Sequence, residues 1–240
     1  MLTHARLLII QNKFQTVKEN VYREYAQHLF LSSLYQVKNS NKLLFKGGTA
    51  YRVAYRSPRF SEDLDFSASG IGQDEIERII LAVLENLSNT GLTCDIEEAK
   101  GTTGGYLANL FVGILDQRIP ISIQISLRRI IGNDYDVIDI VNEYVATYQA
   151  CLLPKREMIG EKIQAALTRS KPRDFYDIYF LLRNGELTVS EKEDLKKVKD
   201  IIVSKKIKFG DELAHFLPKS MKPVIDSFPE PLLNELSKYY

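Results

Sequence analysis

Two aspartates one residue apart, Asp63 and Asp65, have the clearest capacity for chemistry in this sequence. In an extended strand, residues two apart project from one face, so the spacing sets both carboxylates side by side and turns Leu64 and Phe66 toward the opposite, apolar face. Adjacent acids repel unless a cation lies between them, and hard oxygen donors of this kind suit Mg²⁺ or Mn²⁺. Upstream stands Lys46-Gly47-Gly48-Thr49-Ala50, where a glycine pair separates a short apolar run (Leu43, Leu44, Phe45) from a segment of helical character, Thr49 to Arg56, closed by Pro58. Glycines at such a junction let the backbone approach a ligand closely, and the unpaired N–H groups of a helix start suit an anion such as phosphate. A metal beside a phosphate cradle points to phosphoryl or nucleotidyl transfer, in which the metal neutralises phosphate charge and activates the attacking oxygen. An isolated Asp-x-Asp is more often a solvated strand edge, and the glycine pair is what argues against that here.

The run Lys46-Gly-Gly-Thr-Ala followed by Pro58-Arg-Phe-Ser-Glu-Asp-Leu-Asp65-Phe resembles the first motif of the AbiEii/AbiGii-type nucleotidyltransferase toxins, within the DNA polymerase β-like nucleotidyltransferase superfamily. A second match, Glu161-Lys-Ile-Gln-Ala and Arg173-Asp-Phe-Tyr-Asp177, extends the resemblance over roughly residues 40 to 185. It implies an Mg²⁺-dependent enzyme that transfers NMP from an NTP to an RNA acceptor such as the tRNA 3′ end, as the toxin of a bacterial toxin–antitoxin or abortive-infection system with a cognate antitoxin. Asp63 and Asp65 would then hold metal, and Gly47, Gly48 and Thr49 phosphate, with Lys46, Arg59 and Ser61 completing the nucleotide site. Lys162 would orient the triphosphate, and Asp174, supported by Asp177, would help activate the acceptor. The plainer readings are a solvated Lys162, an Asp174 that caps its helix, and an Asp177 paired with Arg173 or Arg169.

The superfamily places a third carboxylate on a strand beside the pair, and the matching position here is Gln124, within Ile121-Ser-Ile-Gln-Ile-Ser126. A neutral amide cannot replace that charge. Either one tightly held metal suffices, which is the favoured reading, or another acid such as Asp116 takes over, or activity is weakened or lost. The last case makes the chain a catalytically impaired nucleotide- or partner-binding module. A further alternative keeps the enzyme and changes the acceptor to a protein hydroxyl.

The elements that must position these residues follow from patterning. With 240 residues, 45% of them hydrophobic, the chain can bury a sizeable core, and a formal net charge of +1 argues against a uniformly basic nucleic-acid coat. Cys94 and Cys151 stand apart like reduced core cysteines, and no apolar run has the length of a membrane span, which suggests a cytoplasmic protein without membrane partners. The expected fold is α+β (α/β): a small mixed sheet flanked by helices in residues 1–150, the nucleotidyltransferase core, then a helical C-terminal lobe in residues 151–240 closing the cleft.

Phe14, Val17, Val21, Tyr25, Leu29 and Leu34 predict amphipathic helix within residues 14–37, in one piece or two, covering the sheet, and His4 and His28 read as surface or capped histidines. After a loop from Ser67 to Gly72, Asp74 is the expected cap of a helix running to Ser88. Three β-rich runs follow, Leu92–Ala99, Tyr106–Leu115 and Ile119–Leu127, the first two joined by a glycine-rich hairpin. Residues 128 to 153, with Arg128, Arg129, Asp134, Asp136 and Asp139, read as a connecting region. Helices are expected from Lys155 to Ser170, over Asp174–Leu182, among the lysines after Ser190 (Lys192, Lys196, Lys197, Lys199, then Lys205, Lys206 and Lys208), and over Leu232–Tyr240. Acids interleaved with those lysines favour a solvated face over an RNA-binding one, and Pro218, Pro223, Pro229 and Pro231 mark loops.

Overall fold

Alternation along the chain is most regular in Ile121-Ser-Ile-Gln-Ile-Ser126, and in the computed structural model the three isoleucines are buried while the residues between them face outward. The structure describes residues 1–127, 134–187, 191–205 and 207–239, so Arg128, Arg129, Ser190, Lys206 and Tyr240 lie outside the described residues. The chain divides into two units, Met1–Pro154 and Lys155–Tyr240.

Among the described residues, the first unit holds a seven-stranded mixed sheet. Its strands are β1 (Leu43–Lys46), β2 (Asp63–Ala68), β3 (Cys94–Thr102), β4 (Gly105–Ile114), β5 (Gln117–Ser126), β6 (Asp136–Ile140) and β7 (Tyr148–Leu152), in the order β3-β4-β5-β2-β1-β7-β6. β2 runs antiparallel to β1 and parallel to β5, and β7 runs parallel to β1. One face carries Leu64, Phe66, Ala108, Leu110, Ile121 and Ile123, all buried. Two helices supply its cover, α2 (Lys18–Leu34) through Val21, Tyr25, Phe30 and Leu31, and α4 (Gln73–Asn89) through Ile76, Ile80 and Val83. Such burial removes roughly 1.5–3 kcal/mol of apolar exposure per large side chain.

Several expectations are corrected. A helix α1 (His4–Phe14) precedes α2, and Gln15, left-handed at φ 50°, ends it, so Phe14 closes one helix and Val17 caps the next. His28 is 3% exposed, a core residue rather than a surface one, whereas His4 is exposed. Asp74 is not the cap: Gly72 holds that position and Asp74 sits in the first turn, where its charge still favours the positive helix end. The supposed connecting region contains β6 and β7. The acids obscured them: at the sheet edge Asp139 faces outward, its polarity protecting an open strand instead of marking a loop.

The second unit is helical: α5 (Lys155–Thr168), α6 (Pro172–Arg183), α7 (Lys192–Ser204), α8 (Gly210–Phe216), α9 (Lys222–Ser227) and α10 (Glu230–Leu236). Its core gathers Phe175, Tyr176, Leu195, Val198, Leu213 and Leu232. Pro223 and Pro231 are not loop markers; each occupies the first turn of a helix, where the missing N–H costs no hydrogen bond. The last α-helix accordingly starts at Glu230, ahead of the expected Leu232.

Candidate active site

β1 ends where α3 (Gly47–Tyr55) begins, with Lys46 as the extended N-cap residue and no intervening loop. Lys46 is paired with Asp65 across the β1–β2 ladder, so the strand-to-helix turn stands directly beside the second aspartate. Gly47 has φ +80°, a left-handed conformation that favours glycine, and a Cβ added there would overlap the Asp65 carboxylate. At Gly48 a Cβ would come within 2.5 Å of Arg59 Nη2 and 2.6 Å of Ser61 Oγ. Each glycine thus occupies space that a side chain would take from a polar group. Thr49, 1% exposed, donates its hydroxyl to the Asp63 carbonyl at 2.5 Å, and Arg59, 2% exposed, donates Nη1 to the Phe60 carbonyl at 2.9 Å. Lys46, Gly47, Gly48, Thr49, Arg59, Ser61, Asp63 and Asp65 therefore come together at one end of β1 and β2.

Asp63 and Asp65 are half-buried on one face of β2, alternating with the buried Leu64 and Phe66. Across the parallel ladder Asp63 is in register with Ser122 and Asp65 with Gln124, so the exposed Gln124 stands on the face of the acids, where a third carboxylate is expected. Asp116 cannot substitute. It lies between β4 and β5, near His4 Nε2 at 3.4 Å, and at about 3.3 Å per residue the strand carries it more than about 20 Å from Gln124. Among the described residues no group of three or more His, Cys, Asp or Glu is disposed to hold a metal ion. Two hard carboxylates nonetheless fit Mg²⁺, which is commonly held by one or two acids and takes its remaining ligands from substrate phosphates and water.

A layer of side chains that sequence reasoning missed supports this turn. Arg52 on α3 forms an ion pair with Glu24 of α2, Nε to Oε1 at 2.6 Å, and donates Nη1 to the carbonyls of Ser57 and Pro58 at 3.1 and 3.3 Å. Its guanidinium lies 3.9 Å from the Phe60 ring centroid. Gln27 donates to the carbonyls of Ser61 and Glu62 at 3.1 and 2.9 Å, fixing the approach to Asp63. The signal that could have found them was polarity in the wrong place: Glu24 and Gln27 interrupt the buried stripe of an amphipathic helix, and polar groups buried there need partners. Tyr144 donates to Glu24 at 2.8 Å, and burial together with that carboxylate pushes its phenol well above its usual range. His28 beside it, 2.9 Å from the Tyr148 hydroxyl, is lowered to about 4, mainly by burial.

In the second unit, Lys162 is 7% exposed, so it is not a solvated lysine. Its Nζ lies 2.8 Å from Asp177 Oδ2 and 3.8 Å from Asp174 Oδ1. Arg169 grips Asp174 with two hydrogen bonds, Nε to Oδ2 at 2.8 Å and Nη2 to Oδ1 at 2.7 Å. Asp174 is completely buried in the first turn of α6, with Lys171 as the cap residue, and it neither caps that helix nor stands open to solvent. Helical spacing brings Asp174 and Asp177 onto one face, and the two cations are Lys162 of α5 and Arg169 just past its end.

Comparison with known proteins bears on the family and the fold. A family model described as the nucleotidyl transferase AbiEii toxin of type IV toxin–antitoxin systems matches residues 29–235. Among solved structures, a candidate nucleotidyltransferase from H. pylori is similar with a TM-score of 0.60 at 18% identity, over 93% of this chain and 97% of that one. JHP933 from Helicobacter pylori is similar at the same TM-score and identity, over 93% of this chain and 94% of that one. At that identity the likeness shows the fold. No curated protein matches the chain.

Proposed function

Since this chain belongs to the AbiEii family of nucleotidyltransferase toxins, we propose that it transfers NMP from an NTP to an RNA hydroxyl such as that at the tRNA 3′ end. The acceptor oxygen attacks the α-phosphorus, one P–O bond forms, the bond to the bridging oxygen breaks, pyrophosphate leaves, and the hydroxyl proton passes to solvent. A divalent ion, Mg²⁺ or Mn²⁺, held by Asp63 and Asp65 would neutralise phosphate charge and make the acceptor oxygen a better nucleophile. The backbone N–H groups at Gly47, Gly48 and Thr49 cradle phosphate oxygens at the start of α3. Arg59 and Ser61, packed against Gly48, hold the turn in shape, and Lys46 adds positive charge beside Asp65. By the family resemblance alone, Lys162 is the compact ammonium expected to act on the triphosphate. We assign Asp174 and Asp177 to holding Lys162 and Arg169, because both oxygens of Asp174 are engaged by the Arg169 guanidinium and Asp177 meets the Lys162 ammonium.

The single observation that carries this reading is the packing of the Asp65 carboxylate against the backbone of Gly47. It supports the reading because an acid suited to a cation then touches a turn suited to phosphate. Replacing Asp65 by Asn keeps shape and removes charge, so the variant should fold normally by circular dichroism and lose at least about 100-fold in incorporation of labelled NTP. Incorporation at the unmodified rate by a folded Asp65→Asn protein overturns the assignment.

Gln124 motivates a second reading, a nucleotide-binding module without turnover. Calorimetric titration with NTP and Mg²⁺ beside the transfer assay separates the two, because binding without labelled product favours the module. A cognate antitoxin is the partner that the family description implies.

A further inference from the structure

A cleft of about 250 Å³ opens between the first turn of α2 and the start of β5. Lys18, Arg23 and Arg118 line it against a single acid, Glu19, and Tyr22, Ile119 and Pro120 provide apolar wall. The cationic groups are not consumed by strong ion pairs. Arg118 lies 3.8 Å from the Phe111 ring centroid and meets Asp95 only at 3.6 Å, with both side chains more than half exposed. Arg23 reaches Glu62 through Nη2 at 3.4 Å, and its buried Nη1 has no hydrogen-bond partner among the described residues. The Lys18 ammonium sits 4.9 Å from the Tyr22 ring centroid, and Asp116 is close enough to act on both Tyr22 and His4. The long, exposed Arg118 pair is weak, and Arg23 keeps a donor without an acceptor among the described residues, so an incoming dianion or phosphodiester competes for the guanidinium donors on favourable terms.

The position of the cleft says what would use it. Glu62, the partner of Arg23, directly precedes Asp63, and Pro120 lies two residues before Ser122, the register partner of Asp63. Two strand residues span about 6.6 Å, a distance of the order covered by one nucleotide of an extended strand. We propose that this cleft binds a phosphodiester of the RNA acceptor next to the reacting nucleotide, Arg23 and Arg118 gripping phosphate oxygens, Lys18 adding charge, and Tyr22 with Pro120 receiving the sugar or base. The proposal rests on the RNA-acceptor reading above. It places acceptor binding on α2 and β5 instead of the lysine-rich α7, where Lys197 is paired with Asp194 at 2.7 Å and acids alternate with the lysines.

The test uses the full chain carrying Asp65→Asn, so that no transfer complicates binding, with and without Lys18→Ala and Arg118→Ala together. Both side chains lie at the surface, and unchanged thermal melting confirms that the double variant folds. Fluorescence anisotropy with labelled tRNA should show affinity falling about tenfold and the slope of log K against log salt shrinking by about 1.4, roughly 0.7 per lost phosphate contact. NTP binding by calorimetry should stay unchanged, and Arg118→Lys alone should retain most of the RNA affinity. Unchanged tRNA affinity and salt slope in the folded double variant overturn the cleft while leaving the transferase intact. If the enzyme with Asp65 intact labels protein and no RNA, the acceptor reading itself fails and the cleft falls with it; loss of protein labelling in the double variant would then mark a site for an acidic peptide.

Discussion

Two glycines with similar backbone conformations separate strain from function in this protein. Gly47 and Gly91 have φ of +80° and +87°, but a Cβ at Gly91 meets nothing within 4 Å, whereas at Gly47 it strikes Asp65. Both alanine variants suffer the left-handed penalty, on the order of 1 kcal/mol. Only Gly47→Ala displaces the carboxylate as well. We therefore expect both to melt a few degrees lower, while labelled-NTP incorporation falls at least about 100-fold for Gly47→Ala and stays near normal for Gly91→Ala. Parallel melting curves and transfer assays check the contrast. The same residue scale shows what a sequence discloses. Asp63, Asp65 and the glycine pair were legible because their geometry is local, fixed by a two-residue strand period and a strand–helix junction. Glu24, Gln27 and the burial of His28 were not, because their partners stand far along the chain. His28 has a pH consequence with a definite sign. Its folded value of about 4 lies below the ordinary value of 6.5, so the unfolded chain takes up the proton first, and stability, full above about 6.5, is lost as pH falls toward 4. The loss amounts to roughly 3 kcal/mol over that interval, at about 1.4 kcal/mol per pH unit. Melting temperature followed from pH 7 to 4 should drop, and His28→Gln should flatten the drop.

At the scale of elements, Arg52 and Glu24 join α2, α3 and the turn leading into β2. Removing the cation strands a carboxylate that is only 5% exposed, so Arg52→Met should cost roughly 3–5 kcal/mol, while Glu24→Gln, which keeps an acceptor for the guanidinium, should cost less. Urea denaturation of both variants and of the pair, read as a double-mutant cycle, measures the coupling. A result near zero would mean that packing alone holds α3 to α2. In the helical unit, Lys162→Met leaves Asp177 without its 2.8 Å partner, and charge-preserving Lys162→Arg distinguishes geometry from charge. We expect the methionine variant to melt lower, and the arginine variant to recover stability while transfer stays impaired. Elements with strong periodicity, β5 and α4 among them, were readable from pattern alone. β6 and β7 were hidden by Asp136, Asp139 and Gln149: the acids suit the edge strand β6 and Gln149 on β7 donates to Asp139, but all three resemble loop composition. The proline-containing helices α9 and α10 were misread for a similar reason, since first-turn proline and loop proline carry the same letter.

For the whole molecule, patterning and the family resemblance foresaw a mixed α and β architecture, and the sheet order is what no local pattern could supply. β1 and β2 are near neighbours in sequence, as are β3, β4 and β5, but the β2–β5 ladder joins Asp65 to Gln124 and the β1–β7 ladder joins Phe45 to Leu152. Contacts so distant in sequence form late, because chain closure must be met before they reward it. Pulse-labelled hydrogen exchange during refolding should find the β4–β5 amides protected before those between β2 and β5, with NTP binding recovering alongside the second group. Recovery of nucleotide affinity together with the β4–β5 amides would contradict that order. The seam between Asp65 and Gln124 thus has a biological corollary: a ribosome must release the chain through Gln124, just over half of the 240 residues, before the two acids acquire their neighbour. Under the proposed reading, transfer must wait until β5 has been made and has docked beside β2.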